Sequence, residues 1–129
     1  MKAELEEKLF AEFPVLYAGR NELITHNLMP FGFECGDGWF DILWRLSKIL
    51  SAADPEAKAF QVKQKFGTLR FDVIGNDIAQ DSVERAEEES ARTCEMCGSH
   101  VGTKIRSYIG WYSTFCAECD RAKICPEKG

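Results

Sequence analysis

The sequence predicts an α+β protein in which helices pack on a β-hairpin or small antiparallel sheet, with a small C-terminal module organised by cysteines. Three observations carry this. Residues 38–52 place apolar side chains at helical spacing. Residues 59–74 alternate apolar and polar around Gly67-Thr68. Two CxxC pairs, Cys94/Cys97 and Cys116/Cys119, stand 18 residues apart. The chain has 129 residues, of which 45% are hydrophobic and 29% charged, so it can bury a core without disulfides. The expected division is a body over 1–90 and a cysteine module over 91–129.

Taken in order, Leu5, Leu9, Phe10 and Phe13 predict a short amphipathic helix over 2–13, stopped by Pro14. Residues 14–36, broken by Pro30, Gly32 and Gly36, read as loop with one short strand. Trp39, Phe40, Ile42, Leu43, Leu46, Ile49 and Leu50 make residues 38–52 the core helix, with Asp37 as its cap. In the hairpin, Phe60, Val62, Gln64, Phe66, Leu69, Phe71 and Val73 are expected to face a helix. Lys63, Lys65 and Arg70 occupy the other face. Residues 77–93 predict a polar helix with a capping box at Asp81 and Glu84 and a thin apolar stripe at Ile78, Val83, Ala86 and Ala91. Its acidic face, Glu84, Glu87, Glu88 and Glu89, is either a solvated surface or a docking surface for a basic partner.

The cysteine pattern carries the chemistry. A two-residue spacer lets both sulfurs of a CxxC reach one ion at ~2.3 Å, and a second pair completes a tetrahedron. Cys94, Cys97, Cys116 and Cys119 are therefore expected to hold one structural Zn²⁺. Gly98 is expected to let backbone N–H groups approach the thiolates, and His100 and Cys125 are less well-spaced substitutes. Residues 104–109 and 111–115 flank Gly110 like a hairpin, and Cys116–Lys123 reads as a helix start. Knuckle, hairpin and ligand-bearing helix make a treble-clef-like finger; a zinc ribbon is the alternative. Four cysteines close the coordination shell and leave no position for a catalytic water. Cys35 reads as a free thiol of the body.

The formal net charge is −5 and uneven: residues 1–90 carry 10 basic and 17 acidic side chains, residues 91–129 carry 6 and 4. The global basic surplus of a nucleic-acid binder is absent, so any such site must be local. Its candidates are Lys63, Lys65 and Arg70 of the hairpin with Lys104, Arg106 and Trp111 of the finger, where aromatic stacking beside cations suits single strands. Trp111 and Tyr112 equally suit the finger's own small core. His26 and His100 lack obvious partners. Glu34, Asp37 and Asp41 are a conceivable Mg²⁺ cluster that capping and surface roles explain as well. The expected protein is not an enzyme. Residues 1–13 lack the apolar run of an export signal and no stretch reaches a membrane span, so a cytoplasmic, reduced setting is expected.

The ordered motifs Gly38-Trp39-Phe40-Asp41, Val62 to Phe71, Cys94 to Gly98, Gly110-Trp111-Tyr112 and Cys116 to Cys119 carry a resemblance covering residues 35–120. The chain resembles small uncharacterised proteins encoded by bacteriophages and prophages. The resemblance implies an accessory protein of the bacterial host cytoplasm and no defined reaction; host takeover and counter-defence are roles common among such genes. Two functions follow as expectations. The first is a zinc-binding protein-interaction module that docks on, and inhibits, a host or phage protein. The alternative is a nucleic-acid-binding protein that uses the basic hairpin and the finger.

Overall fold

The computed structural model describes residues 1–124, so the candidate ligand Cys125 lies outside the described residues. The protein is α+β as the sequence predicts. Its elements are α1 (Ala3–Glu12), β1 (Phe33–Glu34), α2 (Phe40–Ala53), β2 (Lys58–Lys65), β3 (Thr68–Ile74), α3 (Asp77–Ser90), β4 (Lys104–Tyr108), β5 (Trp111–Phe115) and α4 (Ala117–Ile124). β1, β2 and β3 form one sheet in that order, with β1 parallel and β3 antiparallel to β2; β4 and β5 form a separate hairpin.

α1 buries Leu9 and Phe10 and ends where Phe13 N donates to Leu9 O at 3.0 Å, just before Pro14. The segment from Pro14 to Gly32 is mostly turns, held down by buried Asn27. Its Oδ1 accepts from Met29 N at 2.7 Å and its Nδ2 donates to Ala59 O at 3.3 Å. Tyr17 is fully buried and shares a 2.6 Å hydrogen bond with Ser47 of α2.

α2 is the central helix, burying Ile42, Leu43, Leu46, Ser47 and Leu50 beneath a fully buried Trp39. Two expectations are corrected here. Ile49 faces outward. Asp37 does not cap α2: the helix follows a 3₁₀ turn over Asp37–Trp39, and Asp37 Oδ1 accepts from Lys2 N at 2.8 Å instead.

In β2 a bulge between Ala59 and Gln61 breaks the alternation, so Ala59 and Val62 point inward while Phe60 is only half-buried. Phe66 is also corrected. It does not face the core but occupies the hairpin turn, with φ +53° beside Gly67 at φ +92° and 71% of its surface exposed. Two positive-φ residues joining strands paired at Lys65 and Thr68 make a type I′ turn.

α3 is capped by Asn76, whose side chain accepts from Ala79 N at 3.0 Å, and not by an Asp81–Glu84 box. That start sets the helix phase. Ala79, Val83, Ala86 and Ser90 are buried, while Ile78 is exposed and Ala91 is only half-buried beyond the helix. α3 also protects the outer edge of β3: Leu69 N donates to Ser90 Oγ at 2.9 Å and Phe71 N to Glu87 Oε2 at 3.0 Å. Arg45 joins the two helices through Asp41 at 2.8 Å and Glu89 at 2.6 Å. The acidic face of α3 is therefore partly engaged, and Glu84 and Glu88 remain exposed. Among the described residues no helix is long and apolar enough to cross a membrane.

The cap assignment is testable. Asn76→Ala is expected to destabilise the protein by about 1 kcal/mol in urea denaturation, whereas Asp81→Ala stays within about 0.5 kcal/mol of wild type.

Candidate metal centre

After α3 the chain folds back on itself. Gly98 N donates to Cys94 O at 2.8 Å and Cys94 N to Ser99 O at 2.8 Å, closing a tight knuckle. Gly98 sits at φ +81°, a conformation that favours glycine; its own N–H goes to a carbonyl, and the next backbone N–H, that of Ser99, bonds the Cys97 sulfur, as expected for a knuckle. The β4–β5 hairpin then delivers Cys116 to the mouth of α4, and Cys119 lies in the first turn of that helix. Knuckle, hairpin and helix follow one another in treble-clef order.

These elements bring the four cysteines together. Their Sγ atoms all lie within 4.8 Å of one another, and Cys97 and Cys116 are 3.8 Å apart. A tetrahedron with ~2.3 Å metal–sulfur bonds has sulfur–sulfur edges of ~3.8 Å, so the set fits a metal ion such as Zn²⁺. Cys94 and Cys116 are buried, Cys119 is half-buried and Cys97 is exposed. The Cys119 N–H donates to Cys116 Sγ at 3.4 Å and pulls that thiol down to about 7, helped by the neighbouring thiols. Burial, then the other sulfurs, push Cys119 upward. Four sulfurs this close cannot all ionise against one another, and a divalent cation removes that conflict. Among the described residues this is the one group of three or more His, Cys, Asp and Glu side chains placed to hold a metal. Glu34, Asp37 and Asp41 do not converge, and His100 instead shares a 3.1 Å hydrogen bond with Thr93. Cys35 is buried in the body, and desolvation, reinforced by Glu95, pushes its thiol up to about 12.

Among the described residues the finger's own core is Cys94, Phe115 and Cys116, with Tyr108 and Cys119 against them. Trp111 stacks on Tyr108 at 4.3 Å, and Tyr108 Oη donates to Asp120 at 2.6 Å. Arg106 donates to Phe115 O at 3.0 Å and Gly102 O at 2.9 Å and pairs with Asp120 at 3.4 Å. Of the six candidate nucleic-acid contacts, Arg106 thus serves the finger itself, while Trp111 stacks within it and keeps 38% of its surface exposed. Lys63 and Arg70 face each other across β2 and β3, with Lys65 further along and Glu34 in register beside Lys63; Lys104 is exposed at the start of β4.

The sequence reading missed Glu95, the residue after the first cysteine. It is only 8% exposed, so its carboxyl group needs partners, and it has three. Gly36 N donates to Oε2 at 3.0 Å, while Ser113 Oγ and Gln64 Nε2 donate to Oε1 at 2.8 and 3.2 Å. Its backbone joins in: Gly38 N donates to Glu95 O at 2.7 Å, and Glu95 N donates to Thr114 O at 2.8 Å. Around it, Trp39 Nε1 donates to Thr93 O at 2.8 Å, Gln64 Nε2 to Tyr112 O at 2.8 Å, and Thr114 Oγ1 to Gly67 O. β-Carbons at Gly36 or Gly38 would collide with the backbone of Cys94 and Glu95, so these glycines admit the knuckle rather than merely breaking the chain. No single-sequence pattern announces such a role for a CxxC spacer residue; the pair of glycines around Asp37 was the available hint.

Fold and site together define an α+β protein whose C-terminal finger carries a four-cysteine metal-binding cluster seated on the body. The chain matches no family model, and no curated protein or solved structure matches it.

Seating and metal binding are separable by mutation. Gly38→Ala is expected to leave the metal content of the purified protein unchanged while speeding hydrogen exchange at Glu95 and across β5. Glu95→Ala strands buried donors and is expected to cost about 2–4 kcal/mol in denaturation.

Proposed function

We propose that the four cysteines hold one structural Zn²⁺ and that the protein is a non-enzymatic interaction module acting on a partner protein. The observation that carries this is the closed four-sulfur set tied through Glu95 into the body. Four thiolates fill a tetrahedral shell and leave no position for a reacting water, so the ion's work is to hold the finger in shape and in place. What the finger then presents is apolar: Ile109 is fully exposed at the hairpin tip, and Ile105 and Tyr112 are each 45% exposed on its strands. Large apolar side chains held at a surface by a metal-stiffened hairpin suit protein contact. The engagement of Arg106 within the finger weighs against the nucleic-acid reading, as does the net charge of −5. On the resemblance of its motifs to phage-encoded proteins, the partner is a host or phage protein in the bacterial cytoplasm, and docking inhibits it.

Purified protein is expected to contain one zinc per chain by elemental analysis. Cys97→Ser or Cys119→Ser should lose it and unfold the finger over residues 91–124, with the body retaining its own core. Because thiolates are the ligands, zinc affinity should fall as pH is lowered. Affinity capture from bacterial lysate, with and without nuclease and at two salt concentrations, tests the partner class. A protein that survives nuclease and salt supports the reading; nucleic acid alone, lost at high salt, overturns it.

A further inference from the structure

Phe66 is a bulky residue in a left-handed backbone conformation, at a turn position where glycine and asparagine are at ease. Its ring is largely exposed, so core packing does not account for it. It is not isolated. Its ring meets Tyr112 of the finger edge-to-face, with centroids 6.2 Å apart. Gly67 beside it lies against Ile105 and Tyr112: a β-carbon there would stand 2.9 Å from Ile105 Cγ2 and 3.4 Å from Tyr112 Cβ. Phe66, Ile105 and Tyr112, all substantially exposed, thus form one apolar patch that bridges the body's hairpin turn and the finger's hairpin.

One cation borders the patch and two more lie along the same hairpin. Lys65 Nζ lies 5.9 Å from the Phe66 ring centroid, and Lys63 and Arg70 face each other further along the hairpin. Among the described residues none of these three forms an ion pair, whereas Arg20, Arg45 and Arg106 all do. An aromatic and aliphatic centre with a charged rim is the anatomy of a protein-docking hot spot.

We propose that this patch docks a short acidic segment of a partner protein, with a large apolar side chain against Phe66, Ile105 and Tyr112 and carboxylates toward Lys65 and Arg70. The proposal rests on the interaction-module reading and names the surface and the chemistry of its partner. Charge complementarity selects an acidic occupant. Glu34 and Asp72 lie on the hairpin's basic face, in register with Lys63 and Gln61, so the positive charge is broken up and suits one or two carboxylates placed at Lys65 and Arg70 better than the evenly spaced charges of a phosphate backbone. Because the patch draws on both hairpins, it exists only while the finger is seated.

The test uses zinc-loaded full-length protein and a displayed library of random short peptides, with labelled oligo(dT) as the nucleic-acid probe. Enriched peptides are expected to combine Asp or Glu with a large apolar residue. Phe66→Asn and Lys65→Glu should each weaken them by about tenfold or more, while Ile78→Asn and Lys48→Glu on the helices should not. Asparagine accepts the left-handed backbone, so Phe66→Asn should melt no lower than wild type. A clear fall in its melting temperature makes Phe66 a structural wedge and overturns the proposal. Enriched peptides indifferent to Phe66→Asn and Lys65→Glu overturn this surface and leave the wider reading standing. Oligo(dT) binding lost in the same two variants overturns the acidic-segment assignment in favour of nucleic acid. An empty panning overturns the proposal, and the lysate capture decides the wider reading separately.

Discussion

The carboxyl group of Glu95 joins three segments far apart in the chain: Gly36 before the core helix, Gln64 on the central strand and Ser113 on the finger. A buried acceptor so placed is worth little net when all its donors are present and much when any is missing, because each stranded donor pays its own desolvation. Glu95 also stands between two metal-binding cysteines. Its position is therefore set by the knuckle, and the knuckle's shape is set by what the sulfurs hold. Metal binding therefore supports the seating of the finger, while the sulfur set can close without that seating. Free energy gained at the sulfurs is spent partly on ordering a polar seam that the finger could not maintain alone.

The body and the finger differ in what they can build unaided. The body buries a contiguous cluster running from Leu9 through Trp39, Leu43 and Phe71 to Val83 and Ala86. Among the described residues the finger buries Phe115 and two of its own cysteines, which is too little apolar surface to offset the ordering of about 30 residues. The expected boundary between residues 90 and 91 falls where α3 ends, yet the bond from Trp39 Nε1 to Thr93 O crosses it immediately. Local opening should thus begin in the finger and spread first to the turn over Gly36–Trp39, the part of the body that shares its hydrogen bonds.

What the sequence made legible were features written in period and spacing: the helical stripe over α2, the hairpin, and the paired cysteines with a hairpin between them. What it hid were features that depend on one local event or on distant partners. The bulge at Ala59/Gln61 shifts the pleat and cannot be seen in an alternation count. The cap of α3 went to Asn76, one residue before the helix, where a side-chain oxygen could reach Ala79 N; Asp81 already lay a turn inside. Phe66 looked like the next inward residue of β2, but the turn needed two positive-φ positions and only one of them was glycine. Arg106 looked like a binding residue, but the finger engages it on carbonyls and Asp120. Trp111 and Tyr112 suited either binding or the finger's core; Trp111 stacks on Tyr108, yet both keep a large part of their surface exposed.

The polar character of the seam explains why it is lined by glycine. An apolar interface can slide, since dispersion is non-directional. A backbone-to-backbone interface cannot, because N–H and C=O groups bond only in register. Gly36 and Gly38 bring the chain ahead of α2 into contact with the Cys94–Glu95 backbone, and Gly67 does the same beneath Ile105 and Tyr112. The finger is therefore held at two points, by backbone pairing at the knuckle and by the Thr114 hydroxyl on the Gly67 carbonyl at the tip of the body's hairpin. Two such points fix an orientation where one would leave a pivot. The surface that spans body and finger keeps its shape for as long as both contacts, and the sulfur cluster behind them, stay intact.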